Sequence, residues 1–343
     1  MITRDGEVEL LPLTRRRALL AAIKSVAAIT VTALAWRAPR AAAQTWPARP
    51  IRLLLTAPPG SSIDVLGRVI ADALKDRLGQ AIVAENRPQA GGTAGTDAIA
   101  KADADGYTIG ISFTGPLATA PYLYSHLPYD AERDLAPVVL AATAPNLLAV
   151  NAALPVNSLR EFIDYVRRRP GDLNYASIGN GSASHLAMEL FKREAQLFIV
   201  HIPYNGAPPA VQATAAGDVQ AIMSNPTSLL PLILARRIKA LAVTSKTRWS
   251  GMPELPTIAE SGYPEVEAIA WNGFIVPMRT PVDIVGRLNR EINEILQTIE
   301  TRARIATAGW DVAGGSADQF AAFMRSERRR WQPIIARSGA HLD

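Results

Sequence analysis

The sequence predicts an α/β fold built from two groups of βα units around mostly parallel sheets. From residue 50 onward, short apolar runs alternate with segments whose apolar residues recur every three to four positions, as expected for strands alternating with helices. Polar loops that contain glycine follow the predicted strands in both groups. The chain has 343 residues, a length that favours two lobes over one.

Composition and charge exclude several classes of protein. Hydrophobic residues make up 48% of the chain, charged residues make up 20%, and cysteine is absent, which argues against a disordered chain, a collagen-like repeat and a disulfide scaffold. The formal net charge is +5, but residues 1–43 hold seven Lys and Arg against three Asp and Glu. The rest of the chain is therefore close to neutral, and we expect no nucleic-acid partner.

The first 43 residues have the three parts of an export signal. Arg15–Arg17 supply the positive start, residues 18–36 are mostly apolar, and Ala41–Ala43 provide the small residues of a cleavage site before Gln44. The uncharged stretch of 12 residues is shorter than the roughly 20 that a transmembrane helix needs. The arginines partly match a twin-arginine pattern. We expect cleavage and a periplasmic location, with both export routes left open.

In the first group, residues 51–57 are predicted to form a buried strand that leads through a loop into a helix. Ser62 is the expected N-cap, and Asp64 places a negative charge in the first turn, where the helix dipole favours it. The apolar periodicity continues to Leu78, and Gly79 ends it. The remaining elements of this group are a strand at 81–85, a helix at 93–102 and a strand at 107–113.

The second group repeats this order of elements. Ser158 and Glu161 form a capping box at the start of a helix that Pro170 and Gly171 end. The C-terminal part of the chain is predicted to be helical. The predicted elements are strands at 173–177, 198–202, 219–224 and 239–244, helices that start near Ala183, after Gly206 and after Thr227, and helices at 281–299 and 316–337.

Three loops have the composition of an anion-binding site. A loop rich in Gly and Ser that leads into a helix presents backbone N–H groups next to the positive end of the helix dipole, although such loops also serve as plain connections. Ligands of open α/β sheets bind beyond the carboxyl ends of the strands, so two facing lobes would place these loops on opposite walls of a cleft. The loops comprise residues 60–62, 179–182 and 204–206.

The sequence contains no recognisable catalytic motif, and we expect a protein that is not an enzyme. Cysteine, the G-x-S-x-G and H-E-x-x-H motifs and the phosphate loop are all absent. His126, His185, His201 and His341 lack the spacing of metal ligands, so no metal and no cofactor are predicted. His185 either contacts a ligand or caps and packs its helix, and His201 is interpreted as a residue of the sheet or core.

A series of short motifs runs in order through residues 46–339. It includes Pro58-Pro59-Gly60-Ser61-Ser62-Ile63-Asp64, Glu85-Asn86-Arg87-Pro88, Asp105-Gly106-Tyr107-Thr108, Gly179-Asn180-Gly181, His201-Ile202-Pro203-Tyr204 and Trp271-Asn272-Gly273. Jointly, these motifs resemble the Bug family, the extracytoplasmic solute receptors of tripartite tricarboxylate transporters. The chain departs from the family at two positions: the usual Gly-Gly is Gly60-Ser61, and the position after Tyr204, often Lys or Arg, is Asn205.

The resemblance implies a two-lobed periplasmic-binding-protein fold with a hinge and an interlobe cleft that closes around a small organic carboxylate. In the family, loop backbone groups and ordered water hold the ligand carboxylates, which agrees with the amide-rich loops. We expect the chain to cross between lobes near Asn146–Val150 and Trp271–Val276, two apolar runs. The expected domains are the export signal at 1–43, lobe 1 at 44–146 plus 275–343, and lobe 2 at 147–274.

The expected ligand-binding residues come from both walls of the cleft, and no catalytic residue is expected. Asp64 has an alternative role as a charge at the helix start. Trp271 would stack on an aromatic ligand, whereas the polar loops alone suit aliphatic acids. The expected residues are Gly60, Ser61, Ser62 and Asp64 on one wall, Ser177, Asn180, Gly181 and Ser182 on the other, Tyr204 and Asn225 at the periphery, and Trp271.

The expected partners are a small organic carboxylate and the membrane permease subunits of a transporter, with the receptor as a monomer. A receptor that docks on a sensor kinase would need the same cleft, so the sequence leaves that role open. A periplasmic enzyme on a related scaffold is the third and least favoured hypothesis.

Overall fold

The structure is a computed structural model that describes residues 46–338 and 340–342. The export signal predicted for residues 1–43 lies outside these residues. Within them, no helix combines the length and the apolar character that crossing a bilayer requires.

The strands of the described chain form a six-stranded and a five-stranded sheet. In chain order they are β1 (Ile51–Leu55), β2 (Ile82–Asn86), β3 (Thr108–Phe113), β4 (Leu135–Pro145), β5 (Leu147–Asn151), β6 (Asn174–Ser177), β7 (Val200–Pro203), β8 (Ala221–Ser224), β9 (Ile238–Val243), β10 (Ile269–Pro277) and β11 (Asp311–Val312). The six-stranded sheet has the order β11-β4-β10-β3-β1-β2, and the five-stranded sheet has the order β7-β6-β8-β5-β9.

Each sheet is mixed rather than mostly parallel, which refines the predicted fold. The βα units supply the parallel part, formed by β1 to β3 in one sheet and by β6 to β8 in the other. The strand β10 is antiparallel to its neighbours β3 and β4, and β5 is antiparallel to β8 and β9. The strands β5 and β10 are the first strands after the chain changes sheets, and the short β11 is also antiparallel to its neighbour β4.

Helices follow the strands as the alternating pattern predicts. They are α1 (Ser62–Leu78), α2 (Thr93–Ala100), α3 (Ala120–Leu123), α4 (Leu159–Arg167), α5 (Ala183–Glu194), α6 (Ala207–Ala216), α7 (Pro226–Leu234), α8 (Val282–Gln297), α9 (Ile299–Thr307) and α10 (Ala317–Ser338).

Helix starts and stops follow local side-chain chemistry, with one correction. The N-cap of α1 is Ser61 rather than Ser62, because the Ser61 hydroxyl accepts a hydrogen bond from the Asp64 N–H at 3.3 Å while its own backbone is extended. Gly79 ends α1 in the left-handed conformation, as predicted. Ser158 caps α4 by accepting from the Glu161 N–H at 3.2 Å.

A glycine lets α1 lie directly on the six-stranded sheet. A Cβ atom at Gly67 would be 2.3 Å from Cδ2 of Leu55, so a larger residue would force the Leu55 side chain or the helix to shift. The apolar stripe of α1 is buried against the same sheet, including Leu66, Ile70 and Leu74. This packing holds the first turn of α1 at the carboxyl end of β1.

The chain passes from the six-stranded to the five-stranded sheet through a single residue, Asn146, between β4 and β5. The strand β4 runs in the direction of β3, because both are antiparallel to β10. The strand β5 starts at Leu147, which pairs with Ser224 at the end of β8. The carboxyl ends of the parallel strands of both sheets therefore face this crossing.

The return passage is tied to the same place by a buried set of hydrogen bonds that we call the crossing clasp (Asn146, Thr244 and Ala268). The Asn146 N–H donates to Oγ1 of Thr244 at 2.9 Å, and the Asn146 side-chain amide donates to the Ala268 carbonyl at 2.9 Å. The Thr244 N–H donates to the Asn146 carbonyl, and the Ala268 N–H donates to the Thr244 carbonyl. Both polar side chains are buried.

The second crossing lies earlier in the chain than expected. The strand β10 pairs with β4 from Ile269 onward, so Trp271–Val276 already belongs to the six-stranded sheet. The apolar run predicted to be a crossing is apolar because β10 is a central strand, flanked by β3 and β4. We keep the division into two lobes as a proposal, with its second boundary moved to Ile269.

The crossing clasp leads to a prediction about stability. Thr244→Val removes the acceptor of the buried Asn146 N–H, and we expect the free energy of unfolding to fall by about 1–3 kcal/mol. Thr244→Ser, which keeps the hydroxyl, is the matched control and should lose clearly less. Chemical denaturation measures both variants, and equal stability of Thr244→Val and wild type would contradict the role of the clasp.

Candidate ligand-binding site

Asp64 organises the loop between β1 and α1. Its Oδ2 accepts the Gly60 N–H at 2.9 Å, and its Oδ1 accepts hydrogen bonds from the Arg68 guanidinium at 2.8 Å and the Asn86 amide at 3.0 Å. Burial works to raise the pKa of Asp64, but the hydrogen bonds from Gly60, Asn86 and Arg68 together hold this pKa below its usual value. Both carboxylate oxygens are thus occupied within the loop, which favours the helix-start role for Asp64.

The main-chain N–H groups that lack an acceptor in the described part of the chain belong to residues further along this loop than the sequence predicts. The Gly60 N–H binds Asp64, and the Ser61 N–H donates to the Pro58 carbonyl at 3.2 Å. The N–H groups of Ser62 and Ile63 have no acceptor among the residues that the structure describes. These are the first two residues of α1, where backbone donors next to the positive end of the helix dipole favour an anion.

The loop between β6 and α5 is held together in a similar way. The Ser182 hydroxyl accepts the His185 N–H at 3.2 Å and donates to the Gly179 carbonyl at 2.7 Å. The Gly179 N–H donates to Oγ of Ser177 at 3.2 Å, and the Gly181 N–H donates to Nδ1 of His185 at 3.0 Å. The donors and hydroxyls of Ser177, Gly181 and Ser182 are therefore used to shape the loop.

The donors left in this second loop are main-chain N–H groups of Asn180, Ala183 and Ser184, which have no acceptor within the described chain. Asn180 is exposed, whereas Ala183 and Ser184 form the first turn of α5. Sequence reasoning missed Ile63 and Ala183 because their side chains are apolar, and it missed Ser184 because this residue lies beyond the loop, inside the helix. Their position could have indicated them, because the first residues after an N-cap have N–H groups without a partner inside the helix.

The second loop contacts the half of the molecule that carries α1. Gly181 is buried, and a Cβ atom there would be 2.5 Å from Cδ1 of Leu123 in α3 and 3.0 Å from Cδ1 of Leu342. The Leu342 N–H in turn donates to the Leu123 carbonyl at 2.9 Å. The sequence therefore needs glycine at 181 for two reasons, the close approach and a φ of +68°.

Two stacked histidines lie beneath the second loop. The rings of His185 and His201 are 4.0 Å apart and nearly parallel, and His201 also stacks on Tyr175 at 4.8 Å. Burial, followed by the neighbouring His185, lowers the pKa of His201 to about 4. Burial also lowers the pKa of His185. Both rings are therefore neutral near pH 7, and His185 acts as a packing residue that also accepts a loop amide.

The pair formed by Ser177 and His201 has the spacing of a nucleophile and its base, with 2.7 Å between Oγ and Nε2. Ser177 is fully buried, however, and its hydroxyl donates to the Gly179 carbonyl at 3.1 Å. The burial of Ser177 keeps a substrate away from its hydroxyl, whichever of the two atoms donates in the bond to Nε2 of His201. The pair supports the loop, and no three His, Asp or Glu side chains of the described residues form a metal-binding group.

The two residues expected at the periphery have structural partners. The Tyr204 N–H donates to the Ser177 carbonyl at 3.0 Å, and its ring packs on the core of the five-stranded sheet. Asn225 is the N-cap of α7, where its Oδ1 accepts from the Ser228 hydroxyl at 2.8 Å. The first turn of α7 contacts the other half, because Trp310 Nε1 donates to Oγ1 of Thr227 at 2.9 Å.

The expectation that Trp271 stacks on a ligand is wrong. Trp271 is fully buried on the face of the sheet covered by α10, and its Nε1 donates to Oε2 of Glu327 at 3.0 Å. The edges of Phe320 and Phe323 lie against its ring, at 5.8 and 5.4 Å between centroids. No face of the indole is left for a ligand, so Trp271 belongs to the core.

The sequence and the fold are similar to those of known proteins. A family model described as "Tripartite tricarboxylate transporter family receptor" matches residues 66–340. The chain is 40% identical over 301 residues to protein BugT of Bordetella pertussis, a match that covers 88% of this chain and 92% of BugT.

Three solved structures share the fold. R. palustris Rpa4515, solved with adipate, has 36% identity and a TM-score of 0.81, and the match covers 87% of this chain and 100% of that chain. MatC from Rhodopseudomonas palustris with bound malate has 29% identity and a TM-score of 0.75, covering 84% and 100%. The periplasmic binding protein BugD has 28% identity and a TM-score of 0.77, covering 86% and 99%.

His201 makes the stability of the protein depend on pH. The unfolded chain takes up this proton near the ordinary value of 6.5, whereas the folded protein takes it up near 4. Between about pH 4 and 6.5 the unfolded state holds more protons than the folded state. The contribution of His201 to the free energy of unfolding is therefore complete above pH 6.5 and is lost as the pH falls from 6.5 to about 4. Glutamine cannot titrate. We therefore expect the free energy of unfolding of His201→Gln to fall less than that of wild type when the pH is lowered from 6.5 to about 4.

The comparison isolates His201 because the groups packed around it are the same in both proteins. These groups are Ser177, Tyr175, His185, Glu189 and Lys192. Chemical denaturation at a series of pH values measures the slope. Parallel curves for the two proteins would refute the prediction.

Proposed function

Because the chain belongs to the tripartite tricarboxylate transporter receptor family, and its resemblance to Bug proteins is confirmed, we propose that it captures a small organic carboxylate between its two sets of loops. The two-sheet α/β architecture is that of the periplasmic binding proteins it matches. We propose that the receptor works in the periplasm as a monomer and delivers its ligand to membrane permease subunits. The family description favours this partner over a sensor kinase.

The observation that carries the proposal is the pair of helix starts on facing edges of the two sheets. Ser62 and Ile63 at the start of α1, and Ala183 and Ser184 at the start of α5, have N–H groups without acceptors in the described chain. Each pair favours one carboxylate. Two such pairs suit a ligand with two oxygen-bearing ends, and adipate and malate, found with Rpa4515 and MatC, are of this kind.

The surroundings of these donors favour an aliphatic acid held without a cationic side chain. Asp64 and Arg68 neutralise each other within the first two turns of α1, and Asn205 stands where the family often has Lys or Arg. The burial of Trp271 removes the argument for an aromatic ligand. The ligand is therefore held by neutral donors, and its carboxylates keep their own charge. We propose that the protein binds its ligand without catalysing a reaction.

A thermal-shift screen tests the capture of a carboxylate. We expect at least one aliphatic mono- or dicarboxylate, with adipate and malate in the panel, to raise the melting temperature, because a ligand that binds only the folded state must stabilise it. Matched amides and alcohols of the same carbon skeletons are the control. A panel in which no carboxylate shifts the melting temperature would contradict the proposal.

Proline substitutions test the main-chain donors one at a time. Ser62→Pro and Ala183→Pro each remove one free N–H at the first position of a helix, where proline is tolerated. The preceding residues, Ser61 and Ser182, already have the extended ψ that a following proline requires, 164° and 158°. A hydrogen bond to a charged group contributes about 1.5–3 kcal/mol, so we expect each variant to bind the screened carboxylate about 10- to 100-fold more weakly by calorimetry.

Two controls separate the amide from other effects. Ser62→Ala removes the hydroxyl and keeps the N–H, so it should bind like wild type. Ile299→Pro places proline at the first position of α9, after Thr298 with a ψ of 144°, and should leave affinity unchanged. If both Ser62→Pro and Ala183→Pro bind the carboxylate with wild-type affinity, the N–H groups at the two helix starts do not contact the ligand.

A further inference from the structure

Asn272 in β10 has a buried side chain with an unused donor. The residue is 2% exposed, and its Nδ2 atom has no hydrogen-bond partner among the described residues. Other buried polar side chains nearby are paired: Ser112 with Thr96 at 2.9 Å, and Thr56 with the Ile111 carbonyl at 3.0 Å. A buried donor without a partner costs free energy, so an unpaired one in a satisfied neighbourhood indicates a partner that the chain does not supply.

The strand register places Asn272 at the edge of the sheet where α1 begins. Asn272 pairs with Phe113, the last residue of β3, and with Ala142 of β4. Neither neighbour has a polar side chain. The edge is the one that faces the crossing, so Asn272 lies at the floor of the proposed ligand site.

The alternation of side chains directs Asn272 towards α1. Trp271 packs on Phe320 of α10, and a Cβ atom at Gly273 would also meet Phe320, so both residues face α10. Asn272, between them, faces the other side. Its neighbour Ala142 lines a small cavity on that side together with Ser62 at the start of α1.

A β-bulge accompanies this position. The partners of Asn272 and Gly273 on β4 are Ala142 and Leu140, so β4 has one extra residue, Ala141, at this point. Bulges occur next to functional sites because they re-aim a side chain locally. The irregularity therefore lies on β4, directly opposite the position on β10 that has the unpaired amide.

We propose that Nδ2 of Asn272 donates a hydrogen bond to the carboxylate bound at the start of α1. It is then a specificity-determining ligand contact that adds a side-chain donor to the main-chain N–H groups of Ser62 and Ile63. This inference rests on the proposed capture of a carboxylate. The chemistry fits, since an amide N–H is a neutral donor and a carboxylate oxygen is an acceptor with free lone pairs.

The alternative is a buried water that pairs with Asn272 in the free protein. A cavity next to Ala142, the strand partner of Asn272, has a volume of about 10 Å³, close to the space of one water, although Asn272 itself does not line it. The two cases predict opposite effects on the free protein. Replacing a donor that is unpaired until ligand binds relieves its burial cost, whereas replacing a donor that is already paired loses a hydrogen bond.

Asn272→Leu, which has a similar volume and no donor, separates the two cases. We expect the ligand-free variant to melt at the same temperature as wild type or higher, and to bind adipate at least ~10-fold more weakly by calorimetry. Asn146→Leu is the matched control, because Asn146 is equally buried and its amide donates to Ala268 at 2.9 Å. The control should lower the melting temperature of the free protein.

Two outcomes overturn the inference. A drop in the ligand-free melting temperature of Asn272→Leu that matches the drop in Asn146→Leu would show that Asn272 is already paired within the fold. Unchanged adipate affinity in Asn272→Leu would show that it does not touch the ligand. The first readout needs no ligand, and wild-type protein that fails to bind any carboxylate is a failure of the proposed function, so the two failures are distinguishable.

Discussion

The one-residue passage through Asn146 is the constraint on which the placement of the loops depends. Consecutive Cα atoms are about 3.8 Å apart, so one residue between β4 and β5 keeps the edges of the two sheets adjacent. Those edges are the carboxyl ends of the parallel strands, where the βα loops begin. The crossing clasp brings the return passage to the same point through Thr244 and Ala268. The loops of both sheets therefore lie around the crossing at Asn146.

Capping explains why the residues that resemble a binding site are not those with free donors. Ser61 and Ser182 use their hydroxyl groups on backbone N–H groups of their own helices, and Asp64 takes the Gly60 N–H. A capped helix still has unpaired N–H groups in its first turn. The side chains therefore fix the direction of the donors, and the donors belong to the residues that follow. The residues that cap each helix and the residues with free N–H groups are therefore different, and the two roles do not compete.

Much of the fold could be predicted from periodicity, because strands and helices have different apolar spacing and Gly79 or Ser158 mark their ends in a local way. The features that depend on tertiary neighbours could not. Whether Trp271 faces a ligand or a core depends on Phe320 and Glu327, which lie some 50 residues away in sequence. Likewise, the unpaired amide of Asn272 and the sheet to which β10 belongs are set by strand pairing. A single-sequence pattern contains no information about such pairs.

The proposed site, made of main-chain donors on two sheets, has a direct consequence for the release of its ligand. Asp64 is neutralised by Arg68, and the depressed pKa values keep His185 and His201 uncharged, so the donors at the two helix starts are not reinforced by a nearby free cation in the described loops. A carboxylate ligand that contacts the N–H groups at the starts of both α1 and α5 is bound firmly only when both helix starts are within hydrogen-bond distance of it. In the proposed site, a movement about the two crossings that separates the edges removes the donors of one wall at once. Under this proposal the ligand leaves neutral donors without breaking a salt bridge, which suits the proposed delivery to permease subunits.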